Sequence, residues 1–281
     1  MNKIYVKAMA KINLTLNVLN KREDGYHELK SIMKKINLYD ELYIEKNDSN
    51  DINIKMNIDN IEKEKNILYK TYMLLKEKYD ISGVNVILTK KIPMQAGLGG
   101  GSADAADFIL AMNKLFNLNL SEEEMFNIGK NIGADVNPCI VRKTSLAEGI
   151  GDKITKINDN SKLYVVIIKP KIACSTKEMF EVLDEESTVK NEDKNQELQT
   201  NLEKKNIFGI VDNLYNDFEI ITDRYKEIIE VKNDLAKTSA LKSMLSGSGS
   251  CVFGIYESKE KAKEAYHKLK KKYEAYYVVT F

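Results

Sequence analysis

The sequence predicts a folded protein that mixes helices and strands, in one large or two medium domains. Three observations predict this. The chain has 281 residues, against roughly 150 residues for a typical domain. Apolar residues make up 43% and there are only three prolines, a composition that builds a core and does not suit disorder. Along the first half, short β-rich runs alternate with helical periodicity.

The elements follow in order. Residues 3–8 and 12–19 are β-rich and mostly apolar. Residues 29–36, 42–45 and 52–58 read as further strands, the last by its period-2 alternation. Residues 66–79 carry Ile67, Leu68, Met73, Leu74 and Leu75 at helical spacing, with Asn66 at the start. Residues 84–89 form a strand, and a glycine-rich stretch follows. Helices come next over 102–115 and 122–132, the second with Ser121 as N-cap and Glu124 completing a capping box. Gly149, Ile150 and Gly151 mark a break. Beyond it, 163–168 is a buried-type strand and 176–183 a short helix. Residues 185–206 are almost entirely polar and read as a solvated loop or exposed helix. Residues 218–235 are helical. Residues 242–245 and 251–256 form a hairpin around a Gly/Ser turn. A basic helix over 258–271, with its lysines on a solvated face, and a strand over 275–280 close the chain.

Composition excludes several chemistries. With 43 Lys+Arg against 42 Asp+Glu the formal charge is +1, so no global field draws in nucleic acid or an anionic membrane. The longest charge-free aliphatic run, 163–168, is too short to span a bilayer. Lys3, Lys7 and Lys11 interrupt any signal-peptide apolar region. A cytoplasmic location is the expectation. Cys139, Cys174 and Cys251 are far apart and odd in number, which argues against a disulfide framework or a structural zinc site. His27 and His267 are the only histidines, too few for a His-rich metal centre.

The richest segment runs through Pro93, Met94, Gln95, Ala96, Gly97, Leu98, Gly99, Gly100, Gly101, Ser102 and Ala103. It follows a strand and opens a helix. Glycines let the backbone approach an anion and adopt positive φ. Their N–H groups then point at the ligand, backed by the positive end of the helix dipole. The segment therefore predicts a phosphate cradle. It is not a Walker A loop, because no Gly-Lys-Ser/Thr ends it. A dinucleotide fingerprint needs a second strand ending in an acidic residue about 20 residues on, and here a second helix follows.

Two flanking segments are ambiguous by themselves. Lys11 and Asn13 share one side of a strand. Lys11 there needs an anionic partner, or lies on an edge in solvent. Asp135, two residues after Gly133, reads as a general base, a magnesium ligand or a loop cap. The Gly/Ser turn 246–250 reads as a second phosphate-facing turn or a flexible hairpin loop.

Together they are more specific. Residues 10–14 (Ala, Lys, Ile, Asn, Leu), 93–106 and 245–253 resemble the three motifs of the GHMP kinase superfamily. Asp24, Gly25, Tyr26 and His27, the glycines 99–101, residues 133–136 (Gly, Ala, Asp, Val), 146–151 and 216–219 (Asn, Asp, Phe, Glu) resemble one branch of it. That branch acts on a cytidine-diphosphate-linked branched alcohol of the non-mevalonate isoprenoid route. The resemblance runs almost end to end. It implies an α+β fold of two domains, ribosomal-S5-like over 1–154 and ferredoxin-like over 155–281. It implies transfer of the ATP γ-phosphoryl to a tertiary hydroxyl, with Mg2+ as the ATP complex and Ser102 as a candidate contact for it.

The resemblance also implies roles. Asp135 accepts the hydroxyl proton, and Lys11 is its cationic partner. Asn13 binds substrate. Tyr26 and Phe180 stack on the two faces of the cytosine, and His27 reads its edge. Asn66 lies near the adenine. The implied partner is a small molecule, with no nucleic acid and no membrane, for a monomer or homodimer. Asn137 and Pro138 depart from the family pattern, which has proline one place earlier. Gln95 and Ala96 stand where glycines are common.

Overall fold

The computed structural model describes residues 1–58, 61–186 and 193–281. In chain order the strands and helices are β1 (Lys3–Asn13), β2 (Thr15–Lys21), β3 (His27–Lys46), β4 (Ile52–Met56), α1 (Ile67–Lys78), β5 (Val84–Thr89), α2 (Gly100–Phe116), α3 (Glu122–Gly129), α4 (Val136–Val141), β6 (Ser145–Gly149), β7 (Lys153–Lys156) and β8 (Tyr164–Lys169). They continue with α5 (Thr176–Glu186), α6 (Asn195–Glu203), α7 (Ile207–Asp212), β9 (Tyr215–Asn216), α8 (Lys226–Ala236), β10 (Lys242–Leu245), β11 (Val252–Tyr256), α9 (Lys259–Leu269) and β12 (Glu274–Val279). The chain divides into two compact units that interleave along the sequence. The first holds residues 1–10, 38–94 and 99–142; the second holds 11–37, 95–98 and 143–281. Strands β1 and β3 are long enough to contribute residues to both.

In the first unit, β5 pairs parallel with β4 and antiparallel with residues 41–46 of β3. The strict alternation of buried and exposed residues along β5 matches its period-2 pattern. Helix α1 begins at Asn66, whose side-chain oxygen accepts the Leu68 N–H. Helix α3 begins with the expected capping box, Ser121 and Glu124 bonding reciprocally. Helix α2 buries Ala103, Ala105, Ala106, Phe108, Ile109, Met112 and Leu115 in one core with Leu68, Tyr72 and Val86. Full burial of a side chain such as Phe108 contributes about 1.5–3 kcal/mol, so this packing pins the helix that follows the glycine segment.

In the second unit, residues 29–33 of β3 pair antiparallel with β6, and β6 with β7. A separate four-stranded sheet has the order β10-β11-β8-β12. Helices α5, α8 and α9 contribute Met179, Val231 and Ala265 to a core with Val166 and Val252.

Several expectations are corrected. Residues 29–36 and 42–45 belong to one strand, β3, because residues 37–41 continue the extended backbone between them. Helix α3 ends at Gly129 and not at 132. Residues 136–141 form a helix, α4, buried throughout, so its sequence carries no amphipathic stripe. Gly149 and Gly151, both at positive φ, form the tight turn between β6 and β7. The helix expected over 218–235 begins as a 3-10 segment, Asp217–Arg224, before α8. Of the polar stretch 185–206, residues 187–192 lie outside the described residues. Its later part forms α6, which is not simply solvated: Asn195, Leu198 and Leu202 are buried. Three buried positions in a polar helix were too sparse a signal.

Candidate active site

The first half of the glycine-rich segment, residues 95–98, lies in the second unit and is held there at four points. The Lys11 N–H donates to the Leu98 carbonyl at 3.0 Å, and the Cys251 N–H to the Ala96 carbonyl at 3.2 Å. Lys11 Nζ and Ser246 Oγ both donate to the Gly97 carbonyl, at 3.1 and 3.0 Å. Gly97 has φ +70°, and a Cβ built on it would stand 1.8 Å from the Ser246 carbonyl oxygen. Only glycine allows this approach.

Lys11 is 4% exposed, which overturns the solvent-edge alternative. Its ammonium also donates to Asn13 Oδ1 at 2.6 Å. Asn13 Nδ2 donates to Ser31 Oγ at 2.8 Å, and Ser31 Oγ to the Thr15 carbonyl. The strand geometry places both side chains on one face, and the hydrogen bonds fix their directions.

The Gly/Ser turn is no flexible tip. Ser246 and Ser250 are fully buried. Asn216 Nδ2 donates to the carbonyls of Leu245 and Gly247, at 3.0 and 2.8 Å, and Glu219 Oε1 accepts the Leu245 N–H at 2.6 Å. Asn216 and Glu219 thus brace the turn. Ser246 was missed as a candidate because a Gly/Ser turn does not announce what it packs against.

The second half of the segment lies in the first unit. Gly99 is the N-cap of α2 in the left-handed region, at φ 66°. The amides of Gly100, Gly101 and Ser102 open the helix, where N–H groups have no intrahelical acceptor. That is the donor set a phosphate needs. Pro93 is half-buried and Met94 exposed, and Ala103 is buried behind the helix start. Gln95 is exposed and sits at φ 51°, a conformation a side chain rarely adopts. Gln95→Gly is expected to raise stability by up to about 1 kcal/mol, read as a higher denaturant midpoint. An unchanged midpoint would mean that the side chain offsets its own strain.

Asn66, also in the first unit, is buried. Its side-chain oxygen caps α1 through Leu68, and its Nδ2 donates to Met56 Sδ at 3.7 Å. Asp135 occupies the N-cap position of α4 with φ −86° and ψ 0°, but its side chain makes no capping hydrogen bond. Its side chain therefore does not cap α4. The bridge region that Asp135 adopts is one where active-site residues recur.

His27 and Phe180 meet in the second unit. Their rings stack at 4.8 Å between centroids and 13° between planes, and Phe218 packs edge-on against Phe180 at 5.0 Å. His27 Nε2 is 2.7 Å from Asp184 Oδ1, and Lys21 Nζ is 2.6 Å from Asp184 Oδ2. Lys21 and His27 hold the Asp184 carboxyl below its ordinary value against the opposing effect of burial. Asp184 lies four residues after Phe180, one turn along the same helix face; that spacing was the available signal. Tyr26 is 64% exposed and contacts neither ring. Among the described residues no group of three or more His, Cys, Asp or Glu gathers to hold a metal ion. No helix among them is long and apolar enough to cross a membrane.

Comparison with known proteins adds the family. Residues 66–143 match the GHMP kinases N terminal domain and residues 196–275 the GHMP kinases C terminal domain. A 4-diphosphocytidyl-2-C-methyl-D-erythritol kinase from Clostridium botulinum is 44% identical over 271 residues, covering 95% of this chain and 96% of the relative. One from Acetivibrio thermocellus is 44% identical over 275 residues, covering 96% of each chain. A crystal structure of 4-(cytidine 5'-diphospho)-2C-methyl-D-erythritol kinase aligns with TM-score 0.84 at 26% identity, covering 99% of each chain. A homoserine kinase from Cytophaga hutchinsonii aligns with TM-score 0.77 at 19% identity, covering 100% of this chain and 95% of its own, a likeness of fold alone. With both domains matched, relatives similar along nearly their whole length, and the same α+β architecture, the chain belongs to the GHMP kinase family.

Proposed function

We propose that the chain is an ATP-dependent kinase that transfers the γ-phosphoryl group to the 2-hydroxyl of 4-diphosphocytidyl-2-C-methyl-D-erythritol, in non-mevalonate isoprenoid precursor synthesis. The observation that carries this reading is the 44% identity to kinases of that name over 95% of the chain. The residues supply a coherent chemistry. Phosphoryl transfer depends mainly on positioning and on stabilising charge. Residues 93–103 cradle the ATP phosphates, with the N–H groups at the start of α2 as donors. Asp135 accepts the proton of the attacking hydroxyl. Lys11, oriented by Asn13, neutralises charge on the moving phosphoryl. Asn66 lies by the adenine.

Tyr26, His27 and Phe180 receive the cytosine. Because Phe180 now stacks on His27, binding the base between Tyr26 and Phe180 requires these rings to part. The Ser102 hydroxyl would contact magnesium bound as the ATP complex, which would shield the phosphate charge. The protein works in the cytoplasm as a monomer or homodimer, on a small molecule, away from nucleic acid and membranes.

The test incubates the protein with Mg-ATP and the cytidyl substrate, beside homoserine, mevalonate and galactose, and follows ADP and product mass. Phosphorylation of the cytidyl substrate alone is expected. Turnover on another alcohol instead would keep the kinase and overturn the substrate. Tyr26→Ala is expected to raise the KM for the cytidyl substrate about tenfold, from a base stack worth about 1–3 kcal/mol, with little change in the KM for ATP. Equal effects on both would remove Tyr26 from the cytosine site.

A further inference from the structure

A buried charge cluster flanks the glycine-rich segment, and the phosphoryl-transfer chemistry leaves it unused. Lys90 follows β5, and Asp104 lies near the start of α2. Lys90 Nζ donates to Asp104 Oδ2 at 2.6 Å and also to Asp40 of β3. Asp40 Oδ1 accepts the backbone N–H groups of Lys91 and, at 2.8 Å, of Ile92. Asp40 is fully buried and Asp104 is 1% exposed. Asp104 Oδ1 is buried with no hydrogen-bond partner. A Cβ built on Gly100 would stand 3.5 Å from Lys90 Nζ, so the ammonium lies against the first residue of α2.

Burying one ammonium with two carboxyls is costly, and apolar residues of the same volume would often be as stable. The position of the cluster offers a reason for it. Its contacts tie residues 90–92, where the segment leaves the sheet, to Asp104, where the segment has become helix. We propose that Asp40, Lys90 and Asp104 are positioning residues for ATP: they hold the two ends of the glycine-rich segment, and Lys90 neutralises carboxylate charge beneath the α2 N-terminus. The proposal rests on reading residues 93–103 as the nucleotide cradle. An uncompensated carboxylate there would oppose a bound triphosphate and cancel part of the helix dipole.

The groups facing Asp104 are Lys90 and Asp40; the other buried carboxyl of α2, Asp107, is paired with Arg142.

The test compares full-length wild type, Lys90→Met, Asp104→Asn and the double variant. It measures kcat, the KM for ATP and thermal unfolding at one fixed pH. Lys90→Met is expected to raise the KM for ATP about tenfold with a smaller change in kcat, as a lost positioning contact does. Adding Asp104→Asn recovers part of that loss, because the Asp104 carboxylate is gone while Asp40 still lacks its cationic partner. Should Lys90→Met not fold, Asp104→Asn alone decides: with its ion pair to Lys90 gone, its KM for ATP is expected to rise several-fold. A lowered unfolding temperature with an unchanged KM for ATP in Lys90→Met or, where that variant does not fold, in Asp104→Asn overturns the proposal. Wild-type protein that binds no ATP by calorimetry overturns the cradle reading itself, and this proposal with it.

Discussion

Asp135→Asn is expected to lower kcat by about 10²–10⁴-fold, the range a positioned general base contributes, while ATP still binds. The amide keeps the shape of the side chain but cannot take the hydroxyl proton. Thermal unfolding of the variant, measured beside wild type, separates any stability loss from the kinetic one. The measurement is kcat at saturating ATP and cytidyl substrate, with ATP affinity by calorimetry beside it. Turnover within a few-fold of wild type would mean that another group, or water, accepts the proton.

Gly97→Ala is expected to cost at least about 2 kcal/mol of stability and to abolish ATP binding at millimolar nucleotide. Its Cβ would stand 1.8 Å from the Ser246 carbonyl oxygen and 3.0 Å from that of Gly249, both backbone atoms that cannot rotate away. Its φ of +70° adds strain for any L side chain. Gly101→Ala is the control. A Cβ there meets only Ile67 Cδ1 at 3.8 Å, ordinary contact, and no positive φ is required. Normal ATP binding by Gly97→Ala, or an equal loss from Gly101→Ala, would show that the clamp around Gly97 does not shape the cradle.

The strands and helices with clear periodicity were legible: α1 from its Asn66 cap, α3 from its capping box, β5 from its alternation, and the β10–β11 hairpin from its Gly/Ser turn. Those signals are local, carried by residues within a few positions of one another. Helix α4 was not legible, because a helix buried on every side shows no stripe. Nor were Leu198 and Leu202, two apolar side chains in a polar run that find a core only after the chain has folded.

At the candidate site the same division holds. The glycine pattern over 97–101 announced a backbone that approaches an anion, since missing side chains are a property of the sequence itself. The motif set identified the family for the same reason. What Lys11 does was undecidable from its neighbours, because an exposed edge lysine and a buried one have the same local sequence. Only the fold decided it, by bringing Gly97 and Asn13 to its ammonium across 86 residues and two residues of chain respectively. The bracing of Gly97 by Ser246, the Asp184 contact to His27 and the Lys90 cluster were likewise decided by tertiary structure alone. Each depends on groups distant in sequence, and hydrogen bonds and ion pairs form by distance in space.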